Sequence, residues 1–513
     1  MYHDLVFHGG CNLSKMKFIV AFCSLFLFSF QVVAQDSTAP LLLPDSEKAI
    51  LEQHIRYIAS DEMAGRRTAS EGGRKAAAYI AEQFEKLGLL PPPGQDDYFQ
   101  KIPFVKISPP SSGLVELDGE AYYLGEDWGL IRGNKLAWTG EAVFVGHGWV
   151  DSLAGIDDYA NLDVKNKVVI ALSGKPDEGA PFEAFQATRD KRAFAQQRGA
   201  IGLIELYKLR MPWQFVRRFM NAERLEIGAP QDYQSGIFHV WLKEKDGKSL
   251  ELERGKTMRL SFETEGMQIE PTEASNVVGY LPGTDPTLAD EIILLTAHYD
   301  HVGVGKQGGG MYTPADSIFN GARDNAIGVV ALFAAARAFQ QNPPARTVVF
   351  IAFTGEEIGL LGSNYYAENP LFPLEKTVYN LNNDGAGYNL TTHFSLIGWG
   401  RTTADTIFSI AARETGLDIS KNPAENQNLF ERSDNISFAR KGIPAVTFSP
   451  GFIEMDREIM KYYHQAADNP DTLDFDYLFK FWKAYAAAAL HLANWHGKLD
   501  WVPGDKFAPA GQD

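Results

Sequence analysis

Cysteine is nearly missing from this chain. Its 513 residues include two, Cys11 and Cys23, both near the N-terminus. Beyond them no disulfide can form, no thiol can act as nucleophile and no sulfur can bind a metal. Long apolar runs are missing as well. After residue 34 nothing approaches the ~20 apolar residues that a membrane span needs. Positive charge is scarce: 48 Lys and Arg stand against 65 Asp and Glu, a net charge of −17. No basic cluster interrupts that balance, so neither nucleic acid nor a membrane is an expected partner of the mature chain. There is no internal repeat and no low-complexity tract. With 45% apolar and 22% charged residues, the composition is globular rather than disordered.

What is present starts with a targeting pattern. Lys15 and Lys17 precede an apolar run from Phe18 to Phe30, and small residues at Val32 and Ala34 mark a cleavage site. Residues 1–34 therefore read as a signal peptide, and the mature chain as exported, to the periplasm or the medium.

Two amphipathic helices follow. Ile50, Leu51, Ile55 and Ile58 share one stripe, and Ala76, Ile80, Phe84 and Leu87 another, before the stop at Gly88. From Gly113 the texture changes to short β-like runs, Ala142–Gly146, Lys167–Leu172 and Ala200–Leu206, with a helix over Lys191–Gly199. From Ser275 strands alternate with helices. Glu291–Ala297, Thr347–Thr354, Thr377–Leu381 and Ala445–Ser449 read as strands, Ala326–Phe339 and Phe475–Trp495 as helices. Such alternation predicts an α/β fold with a mixed, largely parallel sheet flanked by helices. The expected division is catalytic residues 35–112, an inserted β-rich module over 113–265, and catalytic residues 266–513.

In an open α/β sheet, ligands bind beyond the carboxyl ends of the strands. Here those ends carry acids and imidazoles. One strand runs into His298-Tyr299-Asp300-His301. Asn320-Gly321-Ala322-Arg323-Asp324-Asn325 precedes a helix. Other strands end at Glu356-Glu357 and at Asn382-Asn383-Asp384, and Tyr463-His464 sits before the last helix. Singly, each has a bland explanation: a helix-capping Asp, a Glu pair at a helix start, a satisfied core histidine. Five together at one rim suggest imidazole and carboxylate ligands to catalytic zinc or a similar ion.

These strings carry a resemblance. HYDH at 298–301, NGARDNAIG at 320–328, FTGEEIGLLGS at 353–363, NNDGAG at 382–387, RSDNISFA at 432–439 and YHQAAD at 463–468 resemble the secreted dizinc aminopeptidases, relatives of glutamate carboxypeptidases and the transferrin receptor. DEMAGR at 61–66 also fits. The insertion resembles a protease-associated domain through Val143–Gly148, Lys167–Gly174 and Gly199–Ile204. The resemblance implies the zinc exopeptidase fold and two divalent ions, zinc above all. It assigns His298 and Asp384 to one ion, Glu357 and His464 to the other, and Asp324 as the bridge. Glu356 would be the general base that takes a proton from the attacking water and returns it to the leaving amine.

Alternation along an extended chain agrees, because Glu356 and Glu357 point opposite ways. Asp300, two residues after His298, would orient that ligand's other ring nitrogen. Tyr463 would donate its hydroxyl to the oxyanion. Arg323 and Ile327 replace residues common in the family. Arg323 would pair with a surface acid or meet a substrate carboxylate, and His301 would form a pocket wall or steady a ligand, with an extra metal contact as the alternative. Ser433 and Asp434 would line the cleft.

The expected function is hydrolysis of the N-terminal peptide bond of peptides. The alternatives are a carboxypeptidase or dipeptidase of the glutamate carboxypeptidase type, a glutaminyl cyclase, and a binding protein on a peptidase scaffold. Oligomeric state is not readable from the sequence.

Overall fold

The computed structural model describes residues 42–176, 181–245 and 252–509; the expected signal peptide falls outside them. Residues from Leu41 onward form one compact unit by their contacts.

A nine-stranded sheet is its frame. Four strands at its centre are parallel and adjacent, in the order Thr347–Phe353, Ile292–His298, Thr377–Asn383 and Ala445–Pro450. Nearly every residue in them is buried, which is why they read as continuous apolar runs rather than alternating ones. His393–Ile397 runs antiparallel beside Ala445–Pro450, and Asp418–Lys421 closes that edge. At the other edge lie Gln268–Leu281, Phe99–Ser108 and Arg224–Ile227, all paired antiparallel.

Helices cover both faces. On one, Ile327–Gln341 and Phe475–Asn494 pack together, with Glu47–Ile58 and Glu71–Lys86 beside them. The run of alanines at Ala484 and Ala486–Ala489 keeps the last helix thin enough to lie close, and Trp482 Nε1 donates to the Ile327 carbonyl at 3.2 Å. The first and last helices meet: Lys48 pairs with Asp476, and Lys483 Nζ lies 2.9 Å from Asp45 Oδ1. Each fully buried Phe, Leu or Ile on this face contributes roughly 1.5–3 kcal/mol. The opposite face is covered by Leu361–Glu368 and Asn435–Ala439, through Tyr366, Ile436 and Phe438.

A second, eight-stranded sheet uses strands from Gly113 to Gly266. Its centre is parallel: Asn134–Phe144, Val168–Leu172, Gly202–Tyr207 and Phe238–Lys243. The helix Pro181–Gln197 makes one crossover. A buried ionic group ties it together. Lys191 pairs with Glu205, whose Oε1 accepts from Trp241 Nε1 at 3.0 Å and lies 2.8 Å from His239 Nε2.

Two features differ from the sequence reading. Phe99–Ser108 is a strand although Pro103 interrupts its donor pattern, and Arg224–Ile227, inside the expected insertion, pairs with it in the large sheet. Gln268–Leu281 is long: Val277 faces Ala352, so residues 268–276 run on past the end of the parallel strands, paired with Phe99–Ser108. The second sheet is thus rooted on the side where those strands end.

Candidate active site

Five chain turns deliver the predicted residues to that side. The strand Ile292–His298 ends on His298, and Thr347–Phe353 is followed by Glu356 and Glu357. Thr377–Asn383 is followed by Asp384, and Asp324 stands just ahead of the helix Ile327–Gln341. His464 comes from the loop before Phe475–Asn494 with φ +52°, in the left-handed region. Two glycines make room. A Cβ on Gly321 would meet the Asp324 carbonyl at 2.3 Å, and one on Gly310 would meet that of His464 at 1.8 Å. Both backbone approaches require glycine.

The donor atoms converge. Asp324 turns one oxygen to each imidazole: Oδ1 is 3.2 Å from His298 Nε2, and Oδ2 is 3.2 Å from His464 Nε2. Asp384 Oδ1 lies 3.2 Å from His298 Nε2, and Glu357 Oε2 lies 3.0 Å from His464 Nε2. Ligand atoms of His298, Glu356 and Asp384 fall within 4.8 Å of one another, and so do those of His301, Asp324 and Glu357. Two nitrogen–oxygen clusters joined through one carboxylate are what a pair of divalent cations requires.

The electrostatics favour the same occupants. Burial disfavours a charged His298, yet Glu356 and Asp384 outweigh it and raise its pKa well above the usual imidazole value. Burial likewise opposes charge on His464, and Asp324 and Glu357 push it up to about 10. Glu356 also moves up, here with burial as the leading cause: burial, reinforced by Asp384, Glu357 and Asp434, raises its carboxyl well above the ordinary range, against the pull of His298. Five carboxylates crowd this place, so protons gather on its bases. Cations would replace those protons, and the donor set fits them.

Surrounding groups hold the donors. His298 Nδ1 is 3.2 Å from the Asp300 carbonyl oxygen and 3.7 Å from its carboxylate. That carboxylate accepts from the Glu356 backbone N–H at 3.1 Å and from Thr68 Oγ1 at 2.8 Å. Asp300 therefore faces both the histidine and the glutamate turn, with its carbonyl nearest the ring. His301 Nδ1 lies 2.7 Å from Glu357 Oε1. Tyr463 stacks on His464 at 4.1 Å between ring centres and lines the cleft.

Arg323 turns away. Its guanidinium donates to Asp468 Oδ1 at 3.0 Å, to Thr472 Oγ1 at 2.7 Å and to the Thr472 carbonyl at 2.8 Å, and covers the Tyr462 ring at 3.7 Å. Asp468 also accepts from the Arg323 backbone N–H at 2.8 Å, which steadies the turn bearing Asp324.

Two supporting residues do more than the sequence predicts, which gives Ser433 only a place in the cleft lining and Arg66 no role of its own. Ser433 Oγ donates to Asp384 Oδ2 at 2.6 Å and accepts from Asn382 Nδ2 at 2.7 Å. Arg66, wholly buried, donates to the carbonyls of Tyr299 at 2.8 Å, Gly321 at 2.9 Å and Ile58 at 3.0 Å, and to that of Asn320. It thereby ties the His298 and Asp324 turns to the first helix. The motifs holding both residues were visible, but most of their partners lie too far along the chain for spacing to reveal.

Beside the donors opens a cleft. Glu356, Glu357 and Asp384 form its acidic floor; Ile397, Leu429, Phe452 and Met455 give it an apolar wall, and Arg432 stands among them.

Comparison with known proteins bears on this geometry. Aminopeptidase YwaD of Bacillus subtilis strain 168 is 26% identical over 243 residues, 46% of this chain and 47% of that protein. The vacuolar membrane protease of Kluyveromyces lactis is 36% identical over 115 residues, 22% of this chain and 11% of that protein. The chain thus spans about half or less of these relatives' length. Among solved structures, an aminopeptidase from Aneurinibacillus sp. strain AM-1 superposes with a TM-score of 0.53 at 20% identity, covering 89% of this chain and 96% of that one, and so shares its fold. The model of "Peptidase family M28" matches residues 276–489, the stretch that supplies every predicted donor. Over that stretch, the chain is similar to peptidase family M28.

Proposed function

We propose that this chain is an exported metallo-aminopeptidase that removes the first residue of peptides. The observation that carries the reading is Asp324, with one oxygen toward each of two imidazoles and Glu356 at the same cleft. His298 and Asp384 would hold one ion, Glu357 and His464 the other, and Asp324 both. Zinc suits nitrogen and oxygen donors at this count. When bound, the ions supply Lewis acidity toward a water and the scissile carbonyl. Glu356 takes the proton of the attacking water and passes it to the leaving amine. Its upward shift keeps it a base strong enough for that transfer. Tyr463, which lines the cleft, would offer its hydroxyl to the oxyanion.

The acidic floor suits a substrate's α-ammonium, and the apolar wall suits a bulky apolar first side chain. Arg323 is engaged with Asp468 and Thr472, so it does not offer its charge to a substrate carboxylate. Arg432 in the cleft wall favours the second reading, a carboxypeptidase. The sheet between residues 113 and 266 would be the protease-associated module, a wall for the substrate path; deleting it with unchanged substrate preference would refute that role. Export predicts a mature N-terminus near Gln35, which sequencing of the secreted or periplasmic product checks.

The deciding experiment offers free dipeptides, N-blocked dipeptides and aminoacyl-arylamides, with and without chelator. Chelator-sensitive release from free-amine substrates alone is expected. Release from N-blocked substrates would move the function to a carboxypeptidase. No turnover at all would leave the cyclase and binding-protein readings.

A further inference from the structure

Behind the apolar wall of the cleft lies an aromatic clamp that the proposed reaction does not use. Leu429 and Arg432 line the cleft, while Phe430 between them turns inward. It joins the apolar cluster that holds Ile397, Phe452 and Trp501. The Arg401 guanidinium lies 3.9 Å from the centre of the Phe430 ring, 5.2 Å from that of Phe507 and 5.4 Å from that of Trp501. Asp505 fixes that cation from the far side, accepting from Arg401 Nε at 2.8 Å and from Nη2 at 2.9 Å.

Phe507 stacks on Phe430 with ring centres 5.9 Å apart, and Lys506 pairs with Glu431. The segment is anchored independently: Val502 N–H donates to the Arg401 carbonyl at 2.9 Å, and Trp501 Nε1 to that of Gly442 at 3.0 Å. A cation among three rings, held bidentately by a carboxylate, loses all of these contacts together if it shifts. Residues 501–507 lie beyond the stretch matched to the family, 276–489.

We propose that Arg401, Asp505 and Phe507 are positioning residues for the substrate pocket: they hold the wall at Leu429–Arg432 and so set how firmly a bulky apolar side chain is bound. This rests on the aminopeptidase reading above. The wall would touch a part of the substrate that does not react, so it binds ground state and transition state alike. Loosening it raises KM and spares kcat. Metal binding stays intact, because Ser433, next along the chain, is held separately by Asn382.

The test uses the full-length zinc-loaded protein and the variants F507A, D505N and F507Y, with Leu-, Phe- and Ala-arylamides. Expected for F507A and D505N is a KM raised about tenfold for Leu and Phe but less than about twofold for Ala, with kcat nearly constant. F507Y, which keeps the stacked ring, should match the unaltered chain, and zinc titrations should coincide for all. D505N leaves no cavity, so it decides the matter if F507A does not fold. Unchanged KM values, equal changes for all three substrates, or kcat falling with KM would overturn the inference alone. Absence of arylamide turnover by the unaltered chain would overturn the aminopeptidase reading and this inference with it.

Discussion

Glu356 and Glu357 are neighbours with opposite chemistry. Burial and surrounding acids raise Glu356, whereas the imidazoles of His301 and His464 outweigh burial and lower Glu357. E356Q should therefore cut kcat by roughly 10²–10⁴ while both ions still bind, as calorimetric titration would show. Ser433 works one step further out. S433A leaves Asp384 free to swing and should weaken one of two zinc-binding steps by about 10–100-fold. The imidazoles add a pH dependence. With His464 at about 10 and His298 well above its usual value, each must shed a proton before it can bind an ion. Zinc affinity should rise with pH across the neutral range, with roughly two protons released per pair of ions, one from each imidazole. Calorimetry in buffers of different ionisation enthalpy counts them. The candidate ligand residues were legible because imidazoles and carboxylates recur at strand ends and helix starts between long apolar runs. Arg66 and Ser433 were not, because all of their partners except Ile58 lie more than forty positions away.

At the scale of elements, the central strands and the two long apolar helices were plain, since burial on both faces leaves an unbroken apolar run. Phe99–Ser108 and the first half of Gln268–Leu281 were not plain. Pro103 breaks the donor pattern of the first, and the other runs out past its neighbours with charged residues on its exposed side. The helix Phe475–Asn494 carries much of the packing. Phe481 is fully buried on it, between the helix and Phe448. F481A should lower stability by about 3–5 kcal/mol in chemical denaturation through the cavity it leaves.

The two large sheets have different weaknesses. In the smaller sheet, burial raises Glu205, but Lys191 and His239 outweigh it and bring it down to about 2, while burial lowers His239. Both carry depressed values in the folded chain. Stability from His239 is present above the unfolded histidine value near 6.5 and is lost as pH falls through it. Stability from Glu205 is present above about 4.5 and is lost toward 2. Acid should thus loosen this sheet in two stages, read by the fluorescence of buried Trp241. K191M would leave Glu205 buried without its cation and cost about 3–5 kcal/mol. The other sheet depends on its ions: zinc at 1,000 times Kd should add about 4 kcal/mol and raise Tm, which chelator reverses.

The meeting of the first and last helices sets a clock on synthesis. Lys48 and Asp476 are 428 residues apart. At roughly 5–20 residues per second, the first helix waits some 20–90 s before a ribosome has made its partner. Through that interval the apolar stripe of Leu51, Ile55 and Ile58 has no last helix to cover it, and it is the part of the nascent chain that a chaperone would be expected to hold.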